Sequence, residues 1–394
     1  MTPVVPVTPG PARPAVFVGA SHYRRPSYGR NHPLAIPRVS LAFDVIMAYG
    51  ALTAGELLPA RAATTAELVQ FHTRDYVNAL RRAEAFGRVR AEDRERHALG
   101  TLENPYFPGV FHTPALATGG SLVAADAVLA GHHAFSPAGG MHHAVPDAAR
   151  GFCYFNDVVL AILRLRAAGR RVLCLDIDAH HGDGTEQAFW DDDQVMTVSL
   201  HMDTSYAYPF KGGCLPDVGG PRALGTVLNV PLPREVHDAE YRAVFAALWE
   251  PAVTWFRPDV IVLQTGTDAL FGDPLGRFRL STGAFLEVVA CVLRVGVPVL
   301  ATGGGGYHPL LLARAWAGVW GLLSGRSLAV ELPEAASQAL RAVGWDEDED
   351  EPYYEDLFRR RLEYGDERPV RPVIQDLMAA LADHVALRRR LWAS

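Results

Sequence analysis

The ten residues Leu175-Asp176-Ile177-Asp178-Ala179-His180-His181-Gly182-Asp183-Gly184 constrain this chain more than any other part of it. They continue the apolar run Arg171–Cys174, and a run of that kind reads as a strand buried on both faces, as in a parallel sheet. Three carboxylates and two imidazoles are therefore delivered to the carboxyl end of a core strand, where open α/β sheets keep their ligands. Burying that much charge costs several kcal/mol per ion unless something compensates it. A divalent metal is the most economical compensation, and the segment carries ligands for one.

The rest of the chain fits such a sheet. Short apolar runs at Ala15–Gly19, Arg171–Leu175, Val195–Leu200, Thr226–Val230, Asp259–Gln264 and Val297–Thr302 read as strands. Helical patterns separate them at Ala115–Ala130, Asp157–Ala168, Asp238–Phe256, Thr282–Val295 and Pro309–Leu323. This alternation predicts an α/β fold: a single domain with a central, mostly parallel β-sheet flanked by helices on both faces. The domain is expected over residues 15–325, behind a disordered Pro- and Thr-rich lead-in at 1–14. A C-terminal extension over 326–394 combines an acidic run at 346–351, read as a solvated loop, with helical spacing from Pro372 to Trp392 that predicts a helix packing on the domain.

The net charge of −7 lacks the basic face that nucleic acid calls for, and it is compatible with a cationic substrate. The segment Met1–Pro14 has no charged n-region followed by an apolar core and is not expected to be a secretory signal, and no apolar stretch reaches membrane-spanning length. A cytoplasmic protein without nucleic-acid or membrane partners is expected. Cys153, Cys174, Cys214 and Cys291 form no CxxC pair and are expected to be reduced, buried thiols.

Asp178 and His180 are two residues apart, so on an extended strand end they point the same way. Asp268 closes a second strand, Val260-Ile261-Val262-Leu263-Gln264, after Thr265-Gly266-Thr267. A lone Asp after a strand is usually a cap or turn former; the three together make a zinc set with a fourth position open. Two carboxylate ligands offset the ion's charge, so deprotonating a water there needs a nearby base. His142 and His143, after Gly139-Gly140, are both candidates, and Asp176 and Asp183 can supply each with an acceptor that fixes its tautomer. Gly303–Gly306 lack the spacing and the following Lys-Ser/Thr of a nucleotide loop. They allow a loop to lie against the site and aim Tyr307 at a polarised carbonyl.

These residues together resemble the zinc-dependent histone deacetylase family of the arginase/deacetylase superfamily, from about Ala15 to Leu323. The motifs are His142-His143-Ala144, Gly151–Asp157 (GFCYFND), Asp176–Thr185 (DIDAHHGDGT), Ser199-Leu200-His201, Thr267-Asp268 with Gly272-Asp273-Pro274, and the glycines ending at Tyr307. Glu103-Asn104-Pro105, Phe107-Pro108-Gly109 and His32-Pro33 ahead of Arg38 most resemble bacterial acetoin utilisation proteins.

The resemblance implies a lysine deacetylase. Asp178, His180 and Asp268 would bind Zn2+, with Fe2+ as the alternative, and His143 would be general base and then acid. His142 would be its electrostatic partner, with Asp176 orienting His142, Asp183 orienting His143, and Tyr307 polarising the acetamide. Phe152, beside Gly151, would wall a lysine channel. A structural K+ would sit on Asp176, Asp178, His180, Ser199 and Leu200, and Arg38 would line an acetate channel. Two departures bear on the substrate. Glu103 stands where the family often has an Asp that grips the substrate backbone, and Tyr208 where the second wall is usually Phe. The implied partner is an acetylated protein or peptide, including an acyl-CoA-forming enzyme. Acetylpolyamine hydrolysis with the same chemistry and non-catalytic acyl-lysine binding are the rival readings, and the residues leave the oligomeric state open.

Overall fold

In a computed structural model, the structure describes residues 13–24, 28, 32–345, 355–359 and 368–393. The acidic run at 346–351 and the lead-in as far as residue 12 lie outside the described residues. The chain is tied down from Arg13, whose guanidinium donates to the Gly131 and Gly296 carbonyls.

Eight strands form one sheet: β1 (Ala15–Gly19), β2 (Leu57–Pro59), β3 (His133–Ser136), β4 (Val172–Asp176), β5 (Val195–Met202), β6 (Val227–Leu232), β7 (Val260–Gln264) and β8 (Val299–Thr302). Their order is β2-β1-β3-β8-β7-β4-β5-β6, and every pairing is parallel. The alternation of side chains explains the continuous apolar runs. Leu173 and Leu175 of β4 face one core with Ile261 and Leu263 of β7, roofed by the helices Asp238–Phe256, Thr282–Leu293 and Pro309–Leu323. Val172, Cys174, Val260 and Val262 face the other, under His112–Leu129 and Asp157–Ala167. Helices on both faces leave these strands no polar side to show.

Two strands carry no clear sequence signal. β2 is a three-residue edge strand ending in Pro59, a position where proline is tolerated because no further partner needs its N–H. β3, the four residues His-Ala-Phe-Ser, is fully buried although it begins with an ionisable ring, because His133 Nδ1 accepts from the Val299 N–H at 3.2 Å.

The C-terminal helix Pro372–Ala393 lies against Asp238–Phe256. Arg371, just ahead of it, forks onto the buried Glu240 carboxylate with bonds of 2.7 Å to each oxygen. Two of the cysteines, Cys153 and Cys174, are buried as expected, but Cys214 is exposed and Cys291 half-buried. Cys214 sits on the irregular segment between β5 and β6, which has no helix or strand to cover it. Among the described residues no helix is long and apolar enough to cross a membrane.

Several buried histidines are held neutral. Burial pushes His72, His133 and His201 down to about 4 each. His72 spans two backbones, its Nδ1 lying 3.1 Å from the Val145 carbonyl while Nε2 accepts from the Asn156 N–H. Unfolded, these rings titrate near 6.5, so between there and about 4 the unfolded chain binds protons that the folded chain does not. Stability should be complete above pH 6.5 and fall on acidification to pH 4, by up to about 1.4 kcal/mol per pH unit for each ring. Unfolding midpoints measured across this range check it; a constant midpoint would contradict it.

Candidate active site

Strands β3, β8, β7 and β4 are consecutive in the sheet, so the segments after their carboxyl ends open onto one crevice although they are far apart in sequence. β4 contributes Asp176–Gly184, β7 contributes Gln264–Asp268, β8 runs into Gly303–Tyr307, and the segment after β3 carries Gly139–Ala144.

Asp178, His180 and Asp268 each bring a ligand atom within 4.8 Å of the others. His180 Nδ1 lies 2.9 Å from Asp268 Oδ2 and 3.3 Å from Asp178 Oδ1. The remaining oxygens are fixed from behind: Gln264 Nε2 and the Gly305 N–H each donate to Asp178 Oδ2 at 2.7 Å, and the Ala179 N–H donates to Asp268 Oδ1 at 2.8 Å. A Cβ on Gly305 would overlap the Asp268 carboxylate, so only glycine lets that loop close on the site. Burial disfavours a charged His180, yet the Asp268 and Asp178 carboxylates outweigh it and raise the ring to about 10. Burial, together with the charge of Asp178, pushes Asp268 up to about 7. Two buried carboxylates here demand a positive charge, and a divalent cation suits this donor set of one imidazole and two carboxylates.

Beside the triad, His142 Nδ1 is 2.7 Å from Asp176 Oδ2 and His143 Nδ1 is 2.9 Å from Asp183 Oδ1. The two Nε2 atoms face each other at 3.0 Å, so at most one carries a proton. Burial works against charging His142, but Asp176 and Asp178 prevail and lift it to about 9. Burial and the neighbouring His142 charge lower His143 to about 4. The two rings are thus shifted in opposite directions. Burial, then the nearby Asp268 and Asp178 charges, keep the Tyr307 hydroxyl well above its ordinary range and hence protonated.

A pocket of about 20 Å³ is lined by His142, His143, Asp178, His180 and Tyr307. It shares His143, Gly151, Phe152, His180 and Tyr307 with an outer cavity of about 320 Å³ that also meets Glu103 and Tyr208. On its other side it shares Leu34, Arg38 and Met141 with an inner cavity of about 310 Å³. Arg38 stands at that junction and donates to the Gly304 and Gly306 carbonyls at 2.7 and 3.3 Å, which ties it to the loop bearing Tyr307.

Phe152 is held at φ +67°, a conformation that bulky residues rarely adopt without a functional constraint. Glu103 and Asn104 impose it: Glu103 accepts a very short bond from the Gly151 N–H, and Asn104 Oδ1 accepts from Phe152 N–H at 3.1 Å. Glu103 also accepts from the Tyr208 hydroxyl at 2.9 Å, so the carboxylate expected to grip substrate links two walls of the channel. Tyr208 packs edge-on to His143 at 4.8 Å. Ser199 pairs with Asp176 across β4 and β5, and its hydroxyl bonds His201 Nδ1 at 2.8 Å, with Leu200 following in β5. Among the described residues the buried Nδ1 of His181 has no partner, and its ring packs on the His201 ring at 4.5 Å.

Three further residues shape the site. Gln264 at the end of β7 holds Asp178, Asp273 accepts from the Tyr307 N–H at 2.7 Å, and Asp157 accepts from the Gly140 and Met141 N–H groups. A polar residue closing an apolar strand was the available signal for Gln264. Asp157 and Asp273 look like ordinary helix-start and turn residues in sequence.

Residues 32–323 match the histone deacetylase domain family. The yeast (Saccharomyces cerevisiae) histone deacetylase RPD3 is 38% identical over 341 residues, covering 84% of this chain and 77% of that protein. The acetoin utilization protein AcuC of Bacillus subtilis is 33% identical over 330 residues, covering 82% of this chain and 85% of that protein. The crystal structure of a histone deacetylase homologue from Aquifex aeolicus superposes with a TM-score of 0.89 at 39% identity, covering 94% of this chain and 100% of that one. A structure described as a histone deacetylase homologue complexed with SAHA matches with the same values.

Asp268→Ala removes one carboxylate of the triad and should leave the purified protein with well under half the wild-type content of divalent metal by elemental analysis. A fully loaded variant would show that the metal sits elsewhere.

Proposed function

The chain belongs to the histone deacetylase family, and from the geometry of its site we propose that it is a zinc-dependent hydrolase that removes acetyl groups from lysine side chains of proteins. The observation that carries this reading is a single pocket in which Asp178 and His180 of the triad, the facing histidine pair and Tyr307 converge. The cavity outside it is lined by the Phe152 and Tyr208 rings, apolar surfaces against which the methylenes of a lysine stem can pack.

Zinc, or ferrous iron in its place, would be held by Asp178, His180 and Asp268 and would supply Lewis-acid chemistry that makes water nucleophilic at neutral pH. The residues do the rest. His143 is neutral, with its Nδ1–H committed to Asp183, so its Nε2 accepts the proton of the attacking water. That proton is the single one the two facing Nε2 atoms hold between them, so His143 passes it on to the leaving lysine amine. Tyr307 donates a hydrogen bond to the carbonyl oxygen as negative charge develops there. Its backbone bond to Asp273 and the Arg38-tied loop fix it in position. Arg38 and Met141, between pocket and inner cavity, give the acetate a way out. A monovalent cation near Asp176, Ser199 and Leu200 belongs to the same reading as structural support. An acetylpolyamine fits less well, because its free cationic ends would meet Arg234 and Arg277 at the outer cavity.

Tyr307→Phe should lower kcat on an acetyl-lysine peptide at least ~100-fold, the scale of losing one oxyanion donor, with KM and metal content nearly unchanged. Near-normal turnover in that variant would remove Tyr307 from the mechanism.

A further inference from the structure

The outer cavity has a charge that the catalytic reading does not use. Arg234 and Arg277 both line it, together with Glu103, Phe210 and Leu275. Both are exposed, and they sit on adjacent segments: the Glu235 N–H donates to the Arg277 carbonyl at 2.7 Å, and His237 and Arg279 continue the pairing as a parallel bridge.

Neighbouring charges on this ribbon are matched. Arg279 lies 3.3 Å from Glu235, and Arg371 is bound to Glu240 at 2.7 Å. Arg234 and Arg277 are the exceptions, since among the described residues neither guanidinium has a carboxylate within ion-pair distance. The Arg234 guanidinium lies over the Tyr206 ring at 4.5 Å, and Arg277 Nη1 reaches only the Pro274 and Gly276 carbonyls. The ribbon is also braced, because Arg371 Nη1 donates to the Arg234 carbonyl at 3.1 Å. The other charge on this rim, Glu103, is committed to Gly151 and Tyr208. A chain of net charge −7 thus turns two unmatched cations toward the entrance of its own site.

We infer that Arg234 and Arg277 form a cradle for an anionic side chain, a carboxylate or a phosphorylated serine, flanking the acetyl-lysine of the substrate. Guanidinium forks match both groups, and the contact is charge-assisted on each side. The inference rests on the acetyl-lysine reading and refines it: the substrate is an acidic stretch of protein, not a basic tail. It also reverses the expectation of a cationic substrate that the overall acidity permits.

The test is a set of acetyl-lysine peptides with Glu, phosphoserine, Gln or Lys at the flanking positions, assayed on the wild type, Arg234→Ser, Arg277→Ser and the double variant. The readout is the ratio of kcat/KM between anionic and neutral peptides within each protein, so a general loss of activity does not affect it. The wild type should favour at least one anionic peptide about fivefold or more at low salt, with the preference shrinking as salt rises. The double variant should bring the ratio close to one, and Glu against phosphoserine identifies which anion is preferred. Equal turnover of all peptides, a preference for Lys flanks, or a preference retained in the double variant would overturn the cradle while leaving the deacetylase reading intact. Failure to turn over any of the peptides would overturn both.

Discussion

Asp178 and Asp268 are buried carboxylates just beyond the ends of neighbouring strands, and almost everything around them follows from the need to keep them charged and close. Neither is tolerable alone in a low-dielectric core. The sheet resolves this by surrounding each with donors, the Gln264 amide and Gly305 N–H on one and the Ala179 N–H on the other. His180 lies between them, and a bound divalent cation would supply the rest of the opposing charge. The close approach explains Gly266 after β7 and the four glycines after β8, and why Tyr307 arrives in the same place.

A second tier of carboxylates sets the histidines. Asp176 lies deeper and near Asp178, and His142 is shifted up; Asp183 serves His143, which is shifted down beside it. The asymmetry arises from position, since the two imidazoles are adjacent in sequence and chemically identical. A third tier, Asp157, Asp273 and the Glu103–Asn104 pair, binds backbone N–H groups. These residues hold the loops around the site in conformations, such as the left-handed Phe152, that the loops would not adopt unaided.

Much of this was legible in the sequence, for physical reasons. A strand buried on both faces has to be apolar throughout, so β4, β5, β7 and β8 stand out, and charged residues directly after them are conspicuous. β2 and β3 were silent because one is a short edge and the other hides a histidine whose ring is satisfied by backbone. The Asp178, His180 and Asp268 grouping followed from strand-end logic, whereas assigning His142 and His143 their different partners needed a family resemblance. Nothing in the sequence indicated that Glu103 would brace Gly151 and Tyr208, since a carboxylate's partners across more than a hundred residues are set only by the fold. The facing of Arg234 and Arg277 into one cavity was hidden for the same reason.

The central claim is that a divalent ion at the Asp178, His180 and Asp268 triad and the residues around it hydrolyse acetyl-lysine. Acetate release from an acetyl-lysine peptide, measured on the purified protein together with its metal content, before chelation, after chelation and after zinc is restored, tests it most directly. Activity should vanish with the metal and return with it. Acetate release at an undiminished rate from metal-free protein would contradict it.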